Sequence, residues 1–474
     1  MKKKNDKVII LAFIMLAIAI LSWIVPQGAF NYGVFESIER VRAGIFDVFV
    51  DICMAFYSNI TEILFILIVG GCYGVLSKAN GYRKLVDKTA KLIEGKEKIA
   101  LPITVILVSL FTSLSDQLLP FLIFVPFIIT VYLRNGNDRL TAFAATFGGM
   151  IVGFFGNTVG MYAIDYLNES TGLAANSLIG MKIAIYIITL ILFNVFAILH
   201  MNKTKKEDNS EYDLFLTEEL DERKVKVSKR TKLWPIALIF SLLFIIMVLA
   251  HIDWENSFGV SFFTNLYAKF EKAFKVADVP VFSALLGKQM TAFGAWENLI
   301  ALSFFVFAAT SIVAIIEKMK FSDFVLRFEV GMKKVLRLAI IYGLVEAIYV
   351  MNVGFQWLPT IINKLLGSGS FSIPMLLLVS FIIAIFIVNP GYSNYIYGYY
   401  LTGAYTATNR LAESALLWHL GQGFAMIIAP TSILVLLGLT YLDIPYKKWL
   451  QYIWKFTLSL LVAVVIVMLV KVYM

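Results

Sequence analysis

The sequence predicts an all-α polytopic membrane protein, an inverted repeat with about nine transmembrane helices and two re-entrant hairpins. Three observations carry that expectation. Of 474 residues, 59% are hydrophobic and only 15% charged, whereas a soluble domain is closer to half apolar and a quarter charged. Apolar stretches such as 8–25 and 233–250 approach the roughly 20 residues that cross a bilayer as a helix. Features also return after about 273 positions: Gly70 and Gly343, Gly81 and Gly354, Pro102 and Pro374, Arg139-Leu140 and Arg410-Leu411, Asn157-Thr158 and Pro430-Thr431. Pairs kept in one order with little drift mark an internal duplication, which carriers often contain.

Each unit predicts the same order of elements. A span (8–25; 297–317) precedes an amphipathic stretch (43–57; 320–333), a second span (59–79; 334–353) and a short surface helix (82–97; 355–368). Two apolar arms around a polar break follow, 99–112 and 118–133 in the first copy, 372–388 and 395–403 in the second. Arms that short turn back as a hairpin more readily than they cross. A glycine-interrupted span (139–163; 413–440) and a last span (176–201; 449–470) close each unit. The domains expected are therefore 1–202 with hairpin 99–133, a middle part 203–296, and 297–474 with hairpin 372–408.

The net charge of +9 arises from Lys and Arg in short loops, which positive-inside topology explains without nucleic acid as a partner. Lys2 to Lys4 place the amino terminus in the cytoplasm, and the Lys-free and Arg-free loop 165–177 falls outside. The single extra span 233–251 turns the second copy upside down relative to the first. Between Lys203 and Lys232 mixed charges predict a solvated cytoplasmic linker. Two cysteines, three scattered histidines and no phosphate loop, nucleophile elbow or zinc helix leave no enzyme and no metal centre to read.

Polar groups at membrane depth need a partner, water or ligand. Four breaks supply them: Ser113, Ser115, Asp116 and Gln117 at the first hairpin tip, Asn389, Ser393 and Asn394 at the second, Asn157 and Thr158 in one interrupted span, and Pro430, Thr431 and Ser432 in the other. Half-helix ends freed there can hold ions or charged substrate groups. Asp116 and Glu346 are acids without a Lys or Arg within a turn, and no break carries a cation. That balance points to a cationic substrate, or to a coupling proton or sodium ion as the sole cofactor. Tyrosines crowd 392–405, the composition of an interfacial belt.

Gly70-Gly71-Cys72-Tyr73-Gly74-Val75-Leu76, Leu119-Pro120-Phe121 and Val125-Pro126 resemble the first half of the YfcC-type carriers of the ion transporter superfamily, near the four-carbon dicarboxylate and aminobenzoyl-glutamate carriers. Gly421-Gln422-Gly423-Phe424, Ala429-Pro430-Thr431-Ser432, Ile444-Pro445-Tyr446-Lys447-Lys448-Trp449 and the amino-terminal Trp23 to Phe30 extend the resemblance over nearly the whole chain. It implies secondary transport by an elevator movement, usually in homodimers in a bacterial cell membrane, with Ser115, Asp116, Asn157, Asn389, Pro430 and Thr431 at the site. The family's two adjacent acids at the first tip stand here as Asp116-Gln117, its serine-rich Gly-Lys turn as Asn389-Pro390-Gly391-Tyr392, an Arg common in one of its spans as Glu346, and its acid between two glycines as Gln422. The expected substrate is a small charged metabolite, a basic amino acid in arginine/ornithine exchange first, and a proton- or sodium-coupled dicarboxylate or other anionic metabolite second.

Overall fold

A computed structural model describes residues 6–473 apart from Tyr32, Met161, Asp208, 216–231, Phe274, Ala277, Asp278, Lys288, Gln289, Ser368 and Val388. The basic start Lys2 to Lys4 and most of the charged linker thus lie outside the described residues. The helices in chain order are α1 (Asp6–Ile24), α2 (Ile45–Ser58), α3 (Ile60–Leu76), α4 (Asn80–Ile93), α5 (Glu97–Ser115), α6 (Val125–Arg134), α7 (Arg139–Phe155), α8 (Ala163–Thr171) and α9 (Ile179–Lys203). They continue with α10 (Trp234–His251) and, past the unnumbered helices Trp254–Phe258, Phe262–Ala273 and Val281–Leu286, with α11 (Ile300–Ile316), α12 (Phe321–Phe355), α13 (Leu358–Leu366), α14 (Ile373–Phe386), α15 (Pro390–Tyr405), α16 (Leu411–Ile428), α17 (Ile433–Tyr441) and α18 (Tyr446–Tyr473). Two antiparallel ribbons, Gly28–Asn31 with Val34–Ser37 and Lys275–Val276 with Val279–Pro280, are the exceptions to the helical class.

Among the described residues seven helices are long and apolar enough to cross a membrane, or eight if the bent pair α2–α3 is one span. Each expected span carries a helix, though α3, α7 and α11 are shorter than the rest. The first hairpin arm departs from expectation: α5 has 19 residues and reaches spanning length. Its start is anchored by the Glu97 carboxylate, which accepts from the Gly95 amide at 3.1 Å and from Lys206 Nζ at 2.5 Å.

Two further differences have local causes. α2 and α3 meet at a 62° bend, where Asn59 leaves the helical path and returns its amide to the Ala55 carbonyl at 3.0 Å. The position that the expected shift of 273 pairs with Asn59 is Met332, a good helix former; the expected amphipathic stretch and span fuse there into the 35-residue α12. The second hairpin turns before Pro390, so Gly391, Ser393 and Asn394 lie within the first turns of α15 and not in the loop. Proline at the first helical position has no amide to waste, and Asn389 caps the helix by accepting from the Tyr392 amide at 3.3 Å.

The described end of the linker is less solvated than its composition suggests. Phe215 is buried and packs on Tyr73 and Tyr441, with ring centroids 5.5 and 6.4 Å away. The tyrosines of α15 divide by helical face: Tyr392, Tyr395 and Tyr399 are exposed, whereas Tyr397, Tyr400 and Tyr405 are buried.

The core is organised by the crossing of α3 and α12. A Cβ on Gly74 would lie 2.2 Å from the Arg327 carbonyl oxygen, and one on Gly331 2.2 Å from that of Gly70. Small residues let the two backbones touch, as helices in a bilayer require when no hydrophobic effect drives them together.

At the start of α7, Asp138 accepts from the Leu140 and Thr141 amides at 3.3 and 3.2 Å and meets the His200 ring at 3.0 Å. Burial pushes its carboxyl up, but hydrogen bonds from His200 and Thr141 outweigh that and hold it below the usual carboxylate range. A depressed carboxyl stabilises the fold above its ordinary titration range, and the contribution is lost as pH falls. Asp138→Ala is therefore expected to cost about 1–2 kcal/mol at neutral pH. In a detergent thermal-shift assay the difference from wild type should shrink on acidification.

Candidate functional site

The first hairpin tip and the break after α7 are one hydrogen-bonded unit. Ser113 Oγ donates to the Gly156 carbonyl at 2.8 Å and lies 3.2 Å from Thr158 Oγ1, while the Thr158 amide donates to the Ser113 carbonyl at 3.3 Å. Ser115 Oγ accepts from the Gln117 amide at 3.3 Å, and Gln117 Nε2 donates to the Trp296 carbonyl at 3.1 Å, tying the tip to the segment before α11.

Asp116 ends α5 with φ 58° and is 1% exposed. Its carboxylate accepts from Asn157 Nδ2, from the Tyr162 amide at 3.3 Å and from the Ile164 amide at 2.7 Å. It therefore caps the amino-terminal end of α8, where an anion suits the free amides and the helix dipole. The close seat needs Gly160, whose added Cβ would fall 2.1 Å from that of Asp116.

The second hairpin tip meets the other end of the same junction. Tyr162 hydroxyl donates to Asn389 Oδ1 at 2.6 Å, and Asn394 Nδ2 donates to the Ala163 carbonyl at 2.6 Å. Gln422 Nε2, from α16, donates to Asn394 Oδ1 at 2.7 Å and to Ser393 Oγ at 3.0 Å. At the break between α16 and α17, Thr431 Oγ1 donates to the Ile385 carbonyl at 2.8 Å, and Ser432 Oγ to that of Met426 at 2.7 Å. Pro430 separates the two helices there. Residues from both hairpins and both interrupted spans thus converge around residues 162–164.

Glu346 stands apart. It is buried inside α12 beside Tyr342, and Glu62 of α3 is the other polar group acting on it. Its electrostatic effect extends to Tyr162 and to Tyr349, which stacks on Tyr392 of the second tip.

Three residues of the junction escaped the sequence reading. Tyr162 bridges the two tips, His419 of α16 places Nε2 3.0 Å from the Phe154 carbonyl, and Lys182 of α9 is 8% exposed and acts on Asp116. A lone Lys in the first turn of a span reads as an interfacial anchor; its burial was the missing signal. Beside the first tip a cavity of about 570 Å³ is bordered by Ser113, Thr158, Asn176 and Asn256, within the size range of small-molecule sites. The space beside Pro390, Gln422 and Ser432 is only about 10 Å³.

The family model described as the C4-dicarboxylate anaerobic carrier, DcuC, matches residues 5–473. The chain belongs to that carrier family. The DcuC-family chain is 21% identical over 439 residues to an uncharacterized protein of Haemophilus influenzae, covering 89% of this chain and 77% of that protein. It is also similar to the solved Alcanivorax borkumensis YdaH transporter (13% identity, 99% of both chains, TM-score 0.42). A third similarity is to Neisseria gonorrhoeae MtrF, described among antimetabolite efflux pumps (14% identity, 98% of this chain and 94% of that one, TM-score 0.38). The carrier is a membrane transporter.

Proposed function

We propose that this carrier moves a small dicarboxylate across the cell membrane by secondary transport. The observation that carries the reading is the saturation of Asp116. Its carboxylate is taken up by Asn157 and two backbone amides, so the acid that favoured a cationic substrate already has its counter-groups inside the protein. Lys182 forms no ion pair or side-chain hydrogen bond among the described residues, and Asp116, the charge that acts on it, is already hydrogen-bonded elsewhere, so the ammonium keeps donors for a ligand. Amides, hydroxyls and one buried ammonium suit an anion, since an uncompensated charge at this depth costs several kcal/mol. The family description points the same way, and arginine/ornithine exchange loses the argument that supported it.

In this reading the inverted repeat, with domains 1–202, 203–296 and 297–474, sets the two hairpins and their interrupted spans, α7 and α16, as the unit that moves against the remaining spans. A homodimer and coupling to protons or sodium complete the proposal. Counterflow in proteoliposomes loaded with succinate, arginine or a short peptide tests the substrate: succinate is expected to exchange. Exchange of arginine alone would overturn the dicarboxylate reading.

A further inference from the structure

Lys182 and His419 come from α9 and α16, more than two hundred residues apart in sequence, yet both line one small cavity with Asn168, Ser177, Ile164 and Leu416. Its volume is about 20 Å³, room for about one water. His419 is 2% exposed. Its Nε2 faces the Phe154 carbonyl, which can only accept, so that nitrogen carries the hydrogen. The other nitrogen, Nδ1, is buried without a partner, a costly arrangement for a polar atom unless something visits it.

We propose that Lys182 and His419 form a carboxylate subsite, at which the ammonium donates to one carboxylate oxygen and Nδ1 shares one proton with the other. The inference rests on the carrier reading and names the residues that would hold one end of its substrate. A carboxylate arriving with one proton satisfies both groups at once: the imidazole accepts from a protonated carboxyl or, as imidazolium, donates to the anion. The charged and titratable groups acting on the pair are few. Asp116 acts on Lys182, and Lys182 acts on His419. α14 and α7, which pack on α16, bring no titratable side chain to the ring; α17 turns Tyr441 toward Phe215, and α18 turns Tyr446 to the Ile428 carbonyl and Tyr452 to His200. α15 contributes the Tyr397 ring against the neighbouring Trp418. On α8, Asp165 answers to Asp253, Glu169 and Glu297 instead.

Purified full-length protein, titrated with succinate and with arginine in a thermal-shift assay between pH 6 and 8, tests the subsite. Succinate is expected to stabilise wild type, more strongly at the acid end. Lys182→Met keeps the length of the side chain without its charge and should weaken binding tenfold or more, while Lys182→Arg retains part of it. His419→Asn should remove the pH dependence, with the ligand-free melting temperature of each variant recording whether it folds. A folded Lys182→Met variant that binds as wild type does would overturn the proposal and leave Lys182 as the counter-charge of Asp116 alone. If wild type answers to arginine and not to succinate, the dicarboxylate reading fails by itself. The subsite is then judged by arginine, which also carries a carboxylate, in the same variants.

Discussion

Asp116→Ala is expected to abolish transport and to destabilise the purified carrier by about 3 kcal/mol or more, because three buried donors lose their acceptor together, each at about 1–3 kcal/mol. The donors are Asn157 Nδ2 and the amides of Tyr162 and Ile164. The loss should appear as a lower melting temperature and as proteolytic cleavage near residues 157–164. Asp116→Asn should behave differently. The introduced amide can keep its oxygen toward the two backbone amides and turn its nitrogen toward Asn157, whose own Oδ1 has no partner and can rotate round to accept. The fold is then retained and only the charge is gone. For a dicarboxylate carrier that variant should bind succinate at least as well as wild type, since a negative charge near the ligand has been removed. A tenfold loss of arginine binding, with succinate inert, would instead restore the cationic substrate.

Gly331→Val is expected to prevent the carrier from being recovered as a monodisperse protein. The new Cβ would lie 2.2 Å from the Gly70 carbonyl oxygen and 2.8 Å from the Gly74 Cα, both backbone atoms that no rotamer change can move. Overpacking usually costs about 1–3 kcal/mol and more when backbone must shift, and here it separates α3 from α12 along the centre of the molecule. Gly354, on the same helix, is the control: nothing lies within 4 Å of its would-be Cβ. Gly354→Ala should leave size-exclusion behaviour unchanged and raise the melting temperature slightly, by the helix preference of about 0.5–1 kcal/mol. Equal behaviour of the two variants would remove the glycine crossing from the account of stability.

The helical class, the position of the spans and the four polar breaks were legible in the sequence because each is a one-dimensional property. Burial in a bilayer demands long apolar runs, and a proline or glycine beside hydroxyls and amides interrupts a helix wherever it stands. Asn157 and Asn389 were identified on that ground, Ser113 and Asp116 from the polar break between two short apolar arms, and Gln422 from the family resemblance; hydrogen bonds tie them into the junction through Gly156, Tyr162 and Ser393. Helix length was less legible: the start of α5 depends on the contacts of Glu97 with Gly95 and Lys206, and the length of α12 on the absence of a breaker at Met332, both weaker signals than hydropathy.

Tertiary structure alone decided the charge of the site. Read along the chain, Asp116 is an isolated acid and Lys182 an isolated base 66 positions later; whether either is free depends on what lies around it. The return of the chain through residues 157–164 consumes the carboxylate, and a cavity lined by both α9 and α16 brings the buried lysine near His419. An ionisable group in a low-dielectric interior is worth only what its neighbours leave uncompensated. Those neighbours come from segments that no spacing relates, and their meeting is a property of the fold.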